Sequence, residues 1–438
     1  SGPHGAVATD QSLATETGLR VLREGGNAVD AAVAIGYTLA VTLPQAGNIG
    51  GGGFMLVRFA NGRARIVDFR ETAPAAATAN MYLDSSGNIV PDRSTIGPLS
   101  AGVPGSVAGL EYAREHFGTR SRHELLRDAL DYAERGFTLT AADAHALRDS
   151  QALLSTYPAT AAIFAPGGAT PQAGTLFRQP DLARTLRDID DDGPSGFYSG
   201  DVAGLLVASI RAGGGILTTA DLANYRVVER DPLECTHRGL TIVTSPPPSS
   251  GGVAICEILG ILGDAPSQPP MHGFDNTHLE IEAERRAFAD RNALGDPAFI
   301  ASPVKRLLDP AHLARERAGI APERATPSSE IDGGGIATHE GKNTTNYSVI
   351  DSAGNAVDVT YTLNNSFGSG FVAAGTGVLL NDEMDDFTSK PGSPNMFGLV
   401  QGTANAIGPG KRPLSTMSPS IVLDASGRAG LAAGAAGG

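Results

Sequence analysis

The sequence predicts a layered body of helices and strands, in the α/β or α+β class. Helical patterns fill most of residues 105–230, and strand-like alternation recurs towards both ends of the chain. At 438 residues the chain is long enough to form one large domain or two. A layered arrangement would bury the apolar faces of both kinds of element.

Two helices are predicted near the N-terminal end. The first spans Ser12–Glu24 and ends at two glycines, and Asn27 caps a second helix from Ala28 to about Val41. The second helix is apolar nearly all round, so we expect it to be buried. The four consecutive glycines at 50–53 indicate close backbone packing, since no phosphate-binding motif continues them.

A β-hairpin is predicted directly after these glycines. Residues 54–59 and 63–69 form its arms, and Asn61-Gly62 is a strong signal for a type I′ turn. Arg70 and Glu71 follow the second arm, where a charged pair usually forms a solvated rim. If a site lies there, the guanidinium of Arg70 would suit a substrate carboxylate.

The middle of the chain is predicted to be mostly helical. Helices are predicted at Arg122–Arg135, Asp181–Ile189, Asp201–Ala212, Thr219–Tyr225, Val253–Leu262 and about Asn276–Ala293. Short strands are predicted at Arg226–Val228 and Leu240–Ser245. Residues 321–341 are turn-rich and polar, and they are our candidate for a linker exposed to cleavage.

A second hairpin organises the C-terminal part. Its second arm, Ala356–Asn364, alternates apolar and polar residues, as expected of a half-buried strand. A three-residue loop at 352–354, with glycine in the left-handed position, joins the two arms. This register places Thr344 opposite Thr362, and a slip of one residue would separate the two hydroxyls.

Composition excludes several classes of partner. The chain has 33 basic and 47 acidic residues, and this net charge of −14 disfavours nucleic acid and anionic membranes. No run of 18 apolar residues predicts a membrane span. Cys235 and Cys256 show no metal-ligand pattern, and we expect two free thiols rather than a disulfide. No histidine has a metal-ligand spacing, so neither a metal nor a cofactor is expected.

Thr344 is a candidate nucleophile on chemical grounds. It follows the turn-rich linker, faces Thr362, and precedes polar clusters at 381–387 and 411–418. A threonine freed at a chain N-terminus carries its own base, an α-amino group with a pKa of about 7.7–8.0. The backbone N–H groups of the Gly437-Gly438 pair could form an oxyanion hole.

A series of motifs runs through the chain in a fixed order. They are Glu24–Ala32, Pro44–Gly53, Asp68–Glu71, Pro246–Gly252, Thr344-Thr345 with Tyr347-Ser348, Thr360–Asn364, Met384–Phe387 and Lys411–Ser415. In these motifs the chain resembles the gamma-glutamyltransferase (gamma-glutamyltranspeptidase) family of N-terminal-nucleophile hydrolases. The resemblance implies an α+β fold of the four-layer αββα sandwich type. It also implies a periplasmic or extracellular location.

The resemblance further implies a precursor that cuts itself between Asn343 and Thr344. Residues 1–343 would form the large-subunit segment, and residues 344–438 the small-subunit segment. Thr344 would be the nucleophile and Thr362 its hydrogen-bond partner. Gly437 and Gly438 match the family's oxyanion-hole pair.

The same resemblance implies how substrate is bound. Arg70 matches the residue that binds the substrate α-carboxylate, assisted by Ser415 and Thr416. The residues that match those around the α-amino end are Asn364, Glu383 and Asp386. The implied reaction forms a γ-glutamyl-enzyme ester from glutathione-like donors and passes the acyl group to water, an amino acid or a peptide.

Two alternatives stand beside this function. One is a sibling amidase, such as a glutaryl-type cephalosporin acylase or a natural-product biosynthetic relative with a different acyl substrate. Arg70, Glu383 and Asp386 favour the γ-glutamyl donor, because a glutaryl group has no amine for the two acids to bind. The other alternative is an inactive binding homologue or an unprocessed precursor.

The chain departs from the family pattern at two points. Asn346 stands where the family has histidine, so the rate of self-cleavage or the choice of substrate could differ. The segment after Thr344 is also shorter than the family's small subunit, and we expect the sequence to be partial. Residues 391–410 match a loop that covers the site, with Phe397 as its aromatic lid residue.

Overall fold

A computed structural model describes residues 5–263, 273–331 and 344–436. Its mixture of helices and two main antiparallel sheets confirms the α+β class. The helices are α1 Ser12–Arg23, α2 Ala28–Thr42, α3 Ser106–Phe117, α4 Arg122–Arg135, α5 Ala141–Asp149, α6 Gln151–Leu154, α7 Pro158–Phe164, α8 Pro180–Asp192, α9 Ser195–Tyr198, α10 Gly200–Ala212, α11 Thr219–Asn224, α12 Gly251–Leu262, α13 Phe274–Asp290, α14 Val304–Leu307 and α15 Pro310–Ala318. None of the helices in these ranges is long and apolar enough to cross a membrane.

The strands form a six-stranded sheet, a four-stranded sheet and two short pairs. They are β1 Gly5–Ala8, β2 Gly52–Arg58, β3 Ala64–Asp68, β4 Phe137–Thr138, β5 Leu176–Phe177, β6 Val228–Arg230, β7 Leu233–His237, β8 Leu240–Thr244, β9 Thr344–Asp351, β10 Ala356–Thr362, β11 Val372–Ala373, β12 Val378–Leu379, β13 Ser420–Leu423 and β14 Ala429–Ala433. The large sheet has the order β1-β9-β10-β2-β3-β6. Both arms of the C-terminal hairpin are therefore inner strands.

The predicted register of the C-terminal hairpin is confirmed. Thr344 pairs with Thr362 across β9 and β10, and Gly354 in the loop has a left-handed φ of 90°. The expectation that the second arm is half-buried is wrong, because all seven residues of β10 are buried. The second sheet covers the polar face of β10, and residues of both sheets form one apolar cluster: Phe54, Leu56, Ala64, Ile66, Val243, Ala356, Met417, Ile421 and Leu423.

The N-terminal helices and hairpin also agree with prediction. Every residue of α2 is buried, as its apolar sequence requires. The glycines at 50–53 pack against backbone, and a Cβ at Gly50 or Gly53 would collide with the carbonyl oxygen of Leu379 or Thr360. Close packing is thus the reason for this glycine run.

Several predicted boundaries and one predicted pairing differ from the structure. The strand predicted at Arg226–Val228 is Val228–Arg230, and the long helix ends at Asp290 before a single 3₁₀ turn. The expectation of two free thiols is wrong, because Cys235 of β7 forms a disulfide with Cys256 of α12. Packing of α12 beside β7 brings the two Cα atoms to 5.7 Å, which sequence spacing alone could not reveal.

Candidate active site

The predicted threonine pair lies where β9 begins and β10 ends. The Thr344 hydroxyl donates to Thr362 Oγ1 at 3.3 Å, and that oxygen also accepts the backbone N–H of Asn364 at 2.9 Å. The side-chain amide of Asn48 donates to the Thr362 carbonyl oxygen at 2.9 Å. Thr344 is half-buried whereas Thr362 is buried. The arrangement leaves one hydroxyl accessible and fixes its partner in place.

Asn364 turns the chain out of β10 and into the site. Its φ of 80° lies in the left-handed region, which asparagine tolerates better than most side chains. Its side-chain amide donates to the carbonyl oxygen of Asp382 at 3.2 Å. This contact joins the end of β10 to the acidic segment that follows.

Arg70 is the cation of the site. Its guanidinium forms ion pairs with Glu383 and Asp386, and its Nε donates to the carbonyl oxygen of Pro413 at 3.2 Å. Burial alone would lower the pKa of Arg70, but the carboxylates of Glu383, Asp386 and Glu71 outweigh burial and raise it. The solvated rim expected for Arg70 and Glu71 is wrong, since both side chains have 0% exposure.

The acids of the site outnumber this guanidinium. Burial raises the pKa of Glu383 well above its ordinary range, although Arg70 opposes the shift. Burial likewise raises the pKa of Glu71 to about 7. Within the described ranges, Glu383 Oε2 and both carboxylate oxygens of Glu71 have no hydrogen-bond partner. The site therefore has carboxyl oxygens available to accept hydrogen bonds from a cationic group.

The segment that contains Ser415 is tied to the proline-rich loop that precedes α12. The Ser415 N–H donates to the carbonyl oxygen of Pro248 at 2.8 Å, and its own carbonyl accepts from the N–H and the hydroxyl of Ser250. The Ser415 hydroxyl accepts the N–H of Met417 at 3.0 Å. These bonds fix the position of both Ser415 and its neighbour Thr416.

One cavity joins these groups. Its lining is Arg70, Thr344, Thr362, Asn364, Glu383, Asp386, Phe397, Leu399, Ser415, Thr416, Met417, Ser418 and Ala435. Every predicted site residue that the structure describes is therefore at this cavity. Asn343, Gly437 and Gly438 lie outside the described residues. Phe397 belongs to the segment predicted to cover the site, and it contributes to the cavity wall.

The sequence did not identify every residue of the site. Glu71, whose carboxylate lies 3.7 Å from the Arg70 guanidinium, was interpreted as part of a solvated rim. Asn346 does not line the cavity; it donates to the Val359 carbonyl and accepts the N–H of Gly434. Gly434 directly precedes Ala435 of the cavity wall, so the hydrogen bond to Asn346 helps to hold this part of the wall in place.

Solved structures of two kinds share this fold. The gamma-glutamyltranspeptidase of Helicobacter pylori gives a TM-score of 0.74 at 42% identity, over 76% of this chain and 95% of that chain. A cephalosporin acylase from Bacillus halodurans gives a TM-score of 0.83 at 27% identity, over 97% of this chain and 76% of that chain. The fold therefore defines a class that contains both gamma-glutamyltranspeptidases and cephalosporin acylases.

Sequence comparison identifies the family of this chain. The family model described as Gamma-glutamyltranspeptidase matches residues 14–438. A glutathione hydrolase proenzyme from Pseudomonas sp. (strain A14) is 54% identical over 422 residues, which are 96% of this chain and 73% of that relative. The chain belongs to the gamma-glutamyltranspeptidase family. The predicted enzyme class, gamma-glutamyltransferase or glutathione hydrolase, is confirmed at the level of this family.

Proposed function

We propose that the chain is a self-processing glutathione hydrolase and gamma-glutamyltransferase in which Thr344 is the nucleophile. Thr344 attacks the γ-glutamyl amide of a glutathione-like donor, which breaks the C–N bond, releases the amine and forms a γ-glutamyl ester. The acyl group then passes to water, an amino acid or a peptide, and the Thr344 hydroxyl is regenerated. The observation that carries this proposal is the ion-paired group of buried Arg70, buried Glu383 and half-buried Asp386 in the cavity of the threonine pair.

The charges of this group favour a donor with an amino-acid end. A carboxylate that binds Arg70 competes with Glu383 and Asp386 for its guanidinium and can displace them. An α-ammonium group on the same substrate can then pair with the two displaced acids, so every buried charge keeps a partner. A glutaryl group would leave both acids unpaired, and an unpaired buried charge costs about 3–5 kcal/mol. The fit of a γ-glutamyl donor follows from this exchange.

Processing would create the catalytic base. Cleavage between Asn343 and Thr344 gives a large segment, 1–343, and a small segment, 344–438. The freed α-amino group of Thr344, with an ordinary pKa of about 7.7–8.0, can accept the proton of the Thr344 hydroxyl during attack. The N–H groups of Gly437 and Gly438 are proposed to stabilise the resulting oxyanion. The name of the Pseudomonas relative, a proenzyme, supports a processed precursor.

In substrate binding, Arg70 is proposed to bind the donor α-carboxylate together with Ser415 and Thr416. The residues proposed to surround the α-ammonium group are Asn364, Glu383 and Asp386. Thr362 is proposed to orient the Thr344 hydroxyl through their 3.3 Å hydrogen bond. These roles are supported by the common cavity that the side chains line.

We also propose the four-layer αββα arrangement for the whole fold. Helix α2 packs on β9 and β10 of the large sheet, and an apolar cluster joins the two sheets. Helix α12 packs beside β7 of the smaller sheet. A periplasmic or extracellular location is proposed as well. It is supported by the Cys235–Cys256 disulfide, since such bonds persist in oxidising compartments.

Donor preference tests the proposal against the acylase alternative. The kcat/KM values for the γ-glutamyl and glutaryl anilides should differ by at least about 100-fold in favour of the γ-glutamyl compound, because only that compound pairs both acids. Glu383→Gln removes one acid and should reduce this difference in kcat/KM. Glu234→Gln, on β7 outside the cavity, should leave the difference unchanged. Equal or faster turnover of the glutaryl anilide would contradict the proposal.

A further inference from the structure

A second group of chemically active side chains lies outside the cavity, where α12, α13 and α15 pack together. Glu257 comes from α12, Asp290 is the last residue of α13, and His312 is in the first turn of α15. One donor atom from each of these side chains lies within 4.8 Å of the other two. Sequence spacing did not reveal this group, because the three residues are far apart in the chain.

Glu257 is the unusual member of this cluster. It is 1% exposed, and within the part of the chain that the structure describes neither of its carboxylate oxygens accepts a hydrogen bond. The charges of Asp290 and Glu316 act against ionisation of Glu257, the charge of Arg306 favours it, and Glu316 lies 3.5 Å from the guanidinium of Arg286. A buried carboxylate whose oxygens accept no hydrogen bond is costly unless a proton or a cation neutralises its charge.

The geometry of the cluster suits a cation. His312 Nε2 lies 2.9 Å from Asp290 Oδ2 and 3.7 Å from Glu257 Oε1. Ligands about 2.0–2.2 Å from a tetrahedral Zn²⁺ ion are about 3.3–3.6 Å apart, which falls between these two distances. The Asp290 side chain is 24% exposed, so solvent and an ion can reach the cluster from that side.

We propose that Glu257, Asp290 and His312 form a binding site for a divalent transition-metal ion, for which Zn²⁺ is the best fit. One imidazole nitrogen with two carboxylates is a donor set that Zn²⁺ accepts readily. Mg²⁺ and Ca²⁺ prefer sites made only of oxygen ligands. A water molecule from the open side would complete a four-coordinate site.

The bound ion would have a structural role that extends to the cavity. It would hold α12, α13 and α15 together, and residues next to α12 and α13 are hydrogen-bonded to the segment of Ser415 or to each other. Ser250 immediately precedes α12 and donates to Ser415, while Arg291 follows Asp290 and donates to the Ser250 hydroxyl at 3.0 Å. The ion would therefore stabilise the fold and fix the segment that carries Ser415, and its loss should alter KM more than kcat.

Calorimetric titration of the full chain with ZnCl₂ tests the site directly. The protein is first treated with a chelator and then kept without thiol reductant, because its two cysteines are in a disulfide and do not compete for zinc. We expect one equivalent of Zn²⁺ to bind per chain and to raise the Tm. MgCl₂ at the same concentration should leave the Tm unchanged. The absence of saturable Zn²⁺ binding would overturn the proposal.

Three variants connect the binding to these side chains. Glu257→Gln and His312→Ala each remove one ligand. Each should weaken Zn²⁺ binding by at least about 100-fold, which exceeds the loss expected from changing a residue that contacts a ligand but not the ion. Asp290→Asn, at the exposed side, provides the same test if another variant fails to fold. His278→Ala, on α13 but outside the cluster, should leave binding unchanged. Wild-type affinity in both Glu257→Gln and His312→Ala would also overturn the proposal.

Discussion

At the scale of single residues, the proposed orienting role of Thr362 depends on one hydroxyl. Its Oγ1 accepts from Thr344 and from the N–H of Asn364, so removal of the hydroxyl leaves both donors without that partner. Loss of a buried partner of this kind costs about 1–3 kcal/mol. We expect Thr362→Val to lower kcat by about 5- to 100-fold while the fold persists. Thr362→Ser, which restores the hydroxyl, should recover most of the rate, and a normal kcat in Thr362→Val would exclude the orienting role.

Asn346 shows why a single departure from a family pattern needs a structure to interpret it. Its amide donates to Asp358, Val359 and Thr360, and its carbonyl oxygen accepts the N–H of Gly434. A neutral imidazole has one donor and one acceptor and could not reproduce this set. The asparagine therefore forms a bridge between β10 and the residues beside Ala435, which alternation alone could not predict.

At the scale of elements, Asp358 connects the two sheets. Its carboxylate accepts from Ser348 on β9 at 2.6 Å and from the N–H of Ser420 on β13 at 2.9 Å. Burial nevertheless raises the pKa of Asp358 to about 6, against the hydrogen bonds that lower it. A raised pKa in the folded state favours the protonated carboxyl. This group therefore contributes a stability that is present below about pH 4 and lost as the pH rises towards 6.

Asp358→Asn should remove this dependence. Urea unfolding at each pH measures the free energy of unfolding of both proteins. Between pH 4 and pH 7 the wild-type protein should lose about 1–3 kcal/mol more of this free energy than the variant. Asp424→Asn is the matched control, because hydrogen bonds from Ser426 and Arg428 lower the pKa of the exposed Asp424 to about 2. Its titration lies below this range, so the control should follow wild type. Parallel curves for Asp358→Asn and wild type would contradict the assignment.

At the scale of the whole molecule, the proposed cut before Thr344 should not separate the two proposed segments. The small segment supplies β9 and β10, which lie between β1 and β2 of the large segment in one continuous sheet. Separation would break both ladders and expose the buried residues of β10. We expect the processed protein to elute from size exclusion as one species and to give two bands on a denaturing gel. Elution of the segments as two separate species without denaturant would contradict this picture.

Local features of the fold were predictable from the sequence, and distant contacts were not. The register of β9 and β10 follows from alternation and a three-residue loop, both contained in about twenty residues. Burial of Arg70 depends on Glu383, which lies 313 positions further along the chain. The disulfide and the Glu257 cluster depend likewise on how separate elements pack. The eight predicted site residues that line one cavity were predicted from family motifs, which already contain that long-range information.

The central claim is that Thr344 is both the new N-terminus and the residue that becomes acylated. Mass spectrometry of the small fragment, after acid quenching of a reaction with glutathione, tests both parts in one measurement. We predict a fragment that begins at Thr344 and gains the mass of one γ-glutamyl group on that residue, with neither fragment nor adduct in Thr344→Ala. Cleavage in Thr344→Ala, or an adduct on another residue, would contradict the account.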